Sequence, residues 1–195
     1  MLLHDKLKPY RLILASQSPR RRELLAGTGL DFQLAERFEC DESYPDMPLG
    51  MVAEYLSRKK SDAYPTELAE ADILLTADTV VIACGEILGK PHSREEAIEM
   101  LQKLSGSTHE VVTGVTLRTR RLYRSFSSVS KVRFRSLSRE EIEYYVDNYH
   151  PMDKAGSYGI QEWIGYVGIE HIDGSFYNVM GLPIQRLYCE LESFI

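Results

Sequence analysis

The chain is poor in cysteine and has no long apolar run, and each shortage closes off a class of protein. Only three cysteines occur in 195 residues, Cys40, Cys84 and Cys189, far apart and without a CxxC pair. That excludes a disulfide-stapled scaffold and the usual zinc spacing, and it is the usage expected of reduced thiols in the cytosol. The five histidines, His4, His92, His109, His150 and His171, show no metal-ligand spacing either. No apolar stretch approaches the roughly 20 residues that span a bilayer. Residues 1–16, MLLHDKLKPYRLILAS, carry Asp5, Lys6 and Lys8 where the apolar region of a signal peptide would sit. These absences lead us to expect a soluble, cytoplasmic protein with no membrane partner.

Positive charge is also scarce. Lys and Arg total 23 against 29 Asp and Glu, a net charge of -6. Such a chain suits nucleic acid poorly unless a local basic patch exists, and no distributed basic stripe is visible, so no nucleic-acid partner is expected. A polyanionic nucleotide would meet the same repulsion. A nucleotide site here must therefore gather its own arginines, lysines and metal-binding carboxylates. Hydrophobic residues make up 44% and charged residues 27%, ordinary for a globular protein with a real core. Neither an internal repeat nor a clean linker appears, so residues 1–195 read as a single domain.

Residues 11–15 (RLILA) read as a short buried strand. A helix follows from Pro19 to Ala26, capped by Ser18 and stopped by Gly27 and Gly29. Residues 36–50 are polar and read as an acidic loop, and 51–63 as a helix. Residues 73–82 (ILLTADTVVI) form a strand with a polar triplet inside it. Residues 93–104 and 138–149 read as helices with capping boxes, Ser93 to Glu96 and Ser138 to Glu141. Residues 110–118 and 121–135 look like a β-hairpin. Two glycine-rich strands are expected at 164–172 and 175–180, then an amphipathic helix over 183–194, entered through Pro183. Helices alternate with strands, but the hairpin pairs break a pure βαβ pattern. The expected class is α/β with a mixed central sheet flanked by helices.

The segment LILASQSPRRRELL carries the clearest chemistry. A strand delivers Ser16-Gln17-Ser18 to a helix N-terminus, where free N–H groups and the dipole attract anions. Arg20, Arg21 and Arg22 sit in the first turn, where the dipole opposes cations. Bound phosphate explains them, whereas a solvated helix face is the plainer alternative. The spacing fits neither the Walker loop nor GxGxxG. Asp78, within Ala77-Asp78-Thr79, lies in an otherwise apolar strand, and a buried carboxylate needs a partner or a metal. A capped strand end is the alternative. LGKP presents Lys90 from a turn, either solvated or set against a phosphoryl group. Glu39, Asp41 and Glu42 offer further carboxylates, either as a solvated loop or as magnesium ligands. In DKAGSYGIQ, the amide of Gln161 has both a donor and an acceptor, as a pyrimidine edge does. Trp163 and the tyrosines read as packing residues.

LASQSPRRRELL, ADTVV, LGKP, KLSGSTHEVVTGV, DKAGSYGIQ and IDGSFYNVMGLP occur in this order from about residue 12 to 184. Together they resemble the Maf-type nucleoside triphosphate pyrophosphatases, over nearly the whole chain. The resemblance implies a fold like that of inosine-triphosphate pyrophosphatases (the Maf/Ham type). It implies hydrolysis between the α and β phosphates with Mg2+ or another divalent metal such as Mn2+ or Co2+. It implies Asp78 as general base and metal ligand, with Glu42, or its neighbour Asp41, as the loop carboxylate. Arg20, Thr79 and Gln161 fall on specificity positions. Ser16, Ser18, Arg21 and Lys90 fall in the phosphate site, with Arg21 and Lys90 stabilising charge. GIQ after DKAGSY looks like the dTTP/UTP subgroup, so dTTP and UTP are the expected substrates. A homodimer is compatible with this. The family usually has Gly after the Gln, but here Glu162-Trp163 follows, a bulkier pair that bears on the entrance and on substrate range. Two rival readings are a pyrophosphatase for a purine or modified nucleotide, and a non-enzymatic regulator of cell-division arrest.

Overall fold

A computed structural model describes residues 1–195. The strands are β1 (Arg11–Leu14), β2 (Gln33–Leu34), β3 (Asp72–Ala83), β4 (Glu86–Leu88), β5 (Thr108–Arg118), β6 (Tyr123–Phe134) and β7 (Ile169–Asp173). The helices are α1 (Leu3–Leu7), α2 (Pro19–Ala26), α3 (Leu49–Asp62), α4 (Arg94–Leu104), α5 (Arg139–Tyr149), α6 (Trp163–Gly168), α7 (Phe176–Met180) and α8 (Ile184–Phe194). The sheet runs β2-β1-β3-β5-β6-β7, with β4 paired to β3. β1 is parallel to β2 and β3, whereas β4 and β7 are antiparallel to β3 and β6. This is the mixed α/β class expected. No helix is long and apolar enough to cross a membrane.

The chain forms two compact units. The first holds Met1–Asp78, Thr113–Ser128 and Gly181–Ile195, the second Thr79–Val112 and Val129–Met180. In the first unit, strand alternation builds two cores. Leu12 and Leu14 of β1 and Ile73, Leu75 and Ala77 of β3 face one cluster, with Leu3, Leu7, Leu187 and Leu191 from α1 and α8. Ile13, Ala15 and Leu74 face the other, with Leu68, Phe38 and Tyr64 against them. Both faces of β1 and β3 are covered, which is why these strands read as continuous apolar runs. Arg11 donates to both carboxylate oxygens of Asp72 at 2.7 Å and pins the parallel register where Arg11 pairs with Asp72.

Helix α3 meets the sheet through polar groups. Thr76 Oγ1 donates to the Ser57 carbonyl at 2.7 Å, and the Ser57 hydroxyl lies 2.8 Å from that of Thr116. All three residues are fully buried. The approach is close because residue 114 has no side chain. A Cβ on Gly114 would come within 2.3 Å of the Ala53 carbonyl group and of the Glu54 nitrogen.

In the second unit, His109 is buried beneath Phe134 and Tyr158. It stacks on Phe134 with ring centroids 5.6 Å apart, and its Nε2 lies 2.7 Å from the Tyr158 hydroxyl. Burial pushes the imidazole from its ordinary 6.5 down to about 4. Ser138 and Glu141 form the expected capping box on α5. At α4 the box is open by one residue: Ser93 accepts from Glu96 N–H, but the Glu96 carboxylate accepts from His92 N–H at 2.7 Å. The second hairpin is β3–β4, turning through Cys84 and Gly85, both at positive φ (52° and 77°), as a type I′ turn demands.

The two strands expected at 164–172 and 175–180 are corrected. Only Ile169–Asp173 is a strand, flanked by α6 and α7. Gly165 lets the first turn of α6 close onto the Ile160 carbonyl, where a Cβ would come within 1.8 Å. After β7 the chain reverses at Gly174, at φ +125° and against Ser130. Ser175 Oγ then accepts from Asn178 N–H at 3.3 Å and opens α7. Buried Asn178 donates to the Val111 carbonyl and to Ser130 Oγ, which holds that helix down.

Two outcomes follow. Gly114→Ala forces α3 off the sheet and is expected to cost about 1–3 kcal/mol or more; an unchanged urea midpoint would contradict the close approach. His109 has a depressed folded pKa, so its contribution is fully present above about pH 6.5 and is lost as pH falls toward 4. From pH 7 to pH 5 that loss is about 2 kcal/mol. It should be visible as a steeper acid loss in urea melts of the wild type than of His109→Gln.

Candidate active site

β1 ends at Leu14, and the chain turns through Ser16-Gln17-Ser18 into α2. Ser18 caps the helix, accepting from Arg21 N–H at 3.4 Å, with Pro19 at the first helical position. Ser16 Oγ accepts from Ser18 N–H at 3.2 Å. Arg21 leans back over the turn. Its Nε donates to the Gly181 carbonyl at 2.7 Å, and its Nη1 to the Ala77 carbonyl at 2.9 Å and to Ser16 Oγ at 3.4 Å. Desolvation lowers its pKa, and the carboxylates of Asp78 and Glu42 work the other way. A guanidinium stays charged under such a pull. Arg21 thus fastens the Ser16–Ser18 turn to β3, one residue before Asp78. Arg20 is half-buried and Arg22 exposed on the same helix.

Asp78 is buried, 9% exposed, on the same face of β3 as Leu74 and Thr76. That face carries α3, and the side chain meets Lys60. Lys60 Nζ lies 2.5 Å from Asp78 Oδ1 and 2.9 Å from Glu42 Oε1. Asp41 is turned elsewhere: it binds Lys59 Nζ at 2.7 Å and the Ser43 hydroxyl and N–H. These bonds hold its carboxyl well below the usual range. Of the two loop acids, Glu42 is therefore the one that shares a cation with Asp78.

Lys60 was missed in the sequence. It sits in the last turn of α3, where the helix dipole makes any lysine unremarkable. The signal was its spacing, since Ala53, Leu56, Ser57 and Lys60 fall on one buried helical face.

The second unit holds Thr79, Lys90 and Gln161. Thr79 is half-buried on β3 and Lys90 is exposed. The LGKP and DKAGSYGIQ segments dock directly: Gly156 N–H donates to the Gly89 carbonyl at 3.0 Å, so the Lys90 turn rests on the turn that leads to Gln161. Gly156, at φ +66°, lies against Val81, with no room for a Cβ. Gln161 is half-buried, and its Oε1 is buried without a hydrogen-bond partner. Glu162 does not face outward alone. It pairs with Lys154 at 3.1 Å and accepts from the Tyr145 hydroxyl. Trp163 packs edge-on to Tyr144, centroids 4.9 Å apart, as a packing residue would.

The fold is shared with the solved Staphylococcus aureus Ham1 protein. The match has a TM-score of 0.55 at 15% identity and covers 95% of this chain and 100% of that one. Within that class the chain belongs to the Maf family: residues 11–194 match the family described as Maf-like protein. Among its relatives, the dTTP/UTP pyrophosphatase of Bacteroides thetaiotaomicron is 54% identical over 187 residues, covering 95% of this chain and 97% of that one. The Porphyromonas gingivalis protein of the same name is 53% identical over 193 residues, 97% of each. That of Flavobacterium johnsoniae is 41% identical over the full length of both.

Arg21→Lys keeps the charge but cannot reach both carbonyls. It should lower stability by about 1–3 kcal/mol through the stranded acceptors. An unchanged melting temperature would show that the fork carries no structural weight.

Proposed function

We propose that this chain hydrolyses dTTP and UTP to the monophosphate and pyrophosphate. The observation that carries the reading is the buried Asp78 carboxylate, held to Lys60 together with Glu42, one residue past the carbonyl that Arg21 grips. Such a group is costly to bury and needs a chemical reason. The names of the relatives support the same reaction, and a cytoplasmic location belongs to the same reading.

Asp78 and Glu42 fit a hard divalent cation: both are oxygen donors that already converge on one ammonium, and Mg2+ takes one or two carboxylates, with phosphate oxygens and water completing its shell. When bound there, the metal would neutralise charge on the phosphates. Asp78 accepts the proton of a water that attacks the α-phosphorus. The new P–O bond forms as the α–β bridging bond breaks, and the electron pair leaves with pyrophosphate. N–H groups of the Ser16–Ser18 turn, with Arg20, hold phosphate oxygens, and Arg21 keeps that turn in place. Lys60 and Lys90 offset charge on the leaving group. Little covalent chemistry is asked of the protein, so positioning and electrostatics dominate. Thr79 and Gln161 are assigned to specificity. The buried, unpartnered Oε1 of Gln161 is an acceptor awaiting a donor, and the N3–H of uracil and thymine is one.

The test is pyrophosphate release by the purified protein with Mg2+ and each of dTTP, UTP, CTP, GTP, ITP and 7-methyl-GTP. Fast release confined to dTTP and UTP is expected. Asp78→Asn and Lys60→Met should each lower turnover by about 10²–10³ without unfolding the protein. Near wild-type turnover in Asp78→Asn would remove it as the base.

A further inference from the structure

Glu162 lies at the centre of a small polar network that the proposed reaction leaves unexplained. Lys154 is a basic residue only 8% exposed. A buried ammonium must be paired, and its partners are Asp153 at 2.7 Å and Glu162 Oε1 at 3.1 Å. Glu162 Oε2 accepts from the hydroxyl of Tyr145, a fully buried residue of α5. The same hydroxyl accepts from Gly159 N–H at 2.9 Å. The Glu162 N–H closes the turn on the Gly159 carbonyl at 3.0 Å. One carboxylate thereby joins α5, the Lys154 turn and the 159–162 turn that carries Gln161.

The packing around Gly159 shows what this does to Gln161. A Cβ on Gly159 would meet Glu162 Cδ at 2.9 Å, Glu162 Oε2 at 3.0 Å and Gln161 Nε2 at 3.1 Å. The carboxylate and the amide NH2 end of Gln161 therefore crowd the same side of one glycine. A carboxylate there attracts the NH2 end and repels the carbonyl end. The other end of the amide, Oε1, is the buried atom without a partner. A half-made polar site of this kind is expensive unless a ligand completes it.

We propose that Glu162 is a positioning residue for Gln161. Acting with Lys154 and Tyr145, it fixes the amide with its acceptor presented to the base. This deepens the base-reading role of Gln161 and rests on it. An acceptor fixed in this way suits the N3–H of uracil and thymine and meets a lone pair at N3 of cytosine. Discrimination of UTP against CTP therefore depends on a residue that contacts neither.

The test is kcat and KM for UTP and CTP in the full-length wild type, Gln161→Ala, Glu162→Gln and the double variant. Glu162→Gln keeps an oxygen for Tyr145 but loses the charge. It should raise KM for UTP about tenfold, leave kcat within about twofold, and shrink the UTP/CTP ratio of kcat/KM about tenfold, the scale of one well-placed polar contact. In the Gln161→Ala background the same change should not alter the ratio further. If Gln161→Ala loses discrimination but Glu162→Gln keeps it, the positioning role is wrong and the base reading stands. Unchanged discrimination in Gln161→Ala overturns both. Equal losses on UTP and CTP in Glu162→Gln would mark a purely structural residue and also overturn the proposal. Should Glu162→Gln fail to fold, Tyr145→Phe removes the bridging hydroxyl, and the same shift in ratio is required of it.

Discussion

Helix α3 can lie against the sheet only because residue 114 has no side chain, and the site in the first unit depends on that approach. With the Ala53 backbone pressed to Gly114, Ser57 reaches Thr76 and Thr116 and satisfies their buried hydroxyls. Three residues further along the same helical face, Lys60 reaches Asp78. The strand supplies the other half of the alignment. Its period of two puts Leu74, Thr76 and Asp78 on one face, so the residue that completes the polar belt and the acid of the site are aimed at the same helix. A helix pushed outward would stretch the contact between Lys60 and the buried Asp78.

The charge distribution follows a consistent rule. In a chain of net charge -6, three inward-facing cations are each held by two or more specific oxygens. Lys60 bridges Asp78 and Glu42, Arg21 is spread over two carbonyls and a hydroxyl, and Lys154 is shared by Asp153 and Glu162. Charges that are buried and paired keep geometry at the cost of some stability, and they make each partner expensive to lose. Under the proposed function, that arrangement suits atoms held ready for a polyanion, since screening by solvent is weakest where the charge is needed.

Much of the local structure was legible because it is written in short-range rules. Ser18 before Pro19, the Ser138–Glu141 box and the apolar runs of β1 and β3 need no distant partner to be recognised. The stretch from 164 to 180 was not legible. Its glycines suggested strands, but Gly165 is there to let a helical turn touch the Ile160 carbonyl, and Gly174 to reverse the chain before Ser175 caps α7. Both roles are defined by what lies across from the glycine, which periodicity does not report. The box at Ser93 failed for a smaller reason: the Glu96 side chain can satisfy either of two adjacent N–H groups, and it takes that of His92.

By itself the sequence determined the class of fold, the serine-capped turn between β1 and α2, and the presence of a carboxylate inside the apolar run of β3, because each rests on neighbouring residues or on a fixed helical or strand period. It also pointed to two loop acids without choosing between them. Only the tertiary structure decided that Glu42 shares a cation with Asp78 while Asp41 is tied to Lys59, that Lys60 belongs beside the acid, and that Glu162 turns inward to Lys154 and Tyr145. These are pairings of charges far apart in the chain. What selects them is the distance between packed elements and the cost of leaving a buried charge alone, and neither quantity exists until the chain has folded.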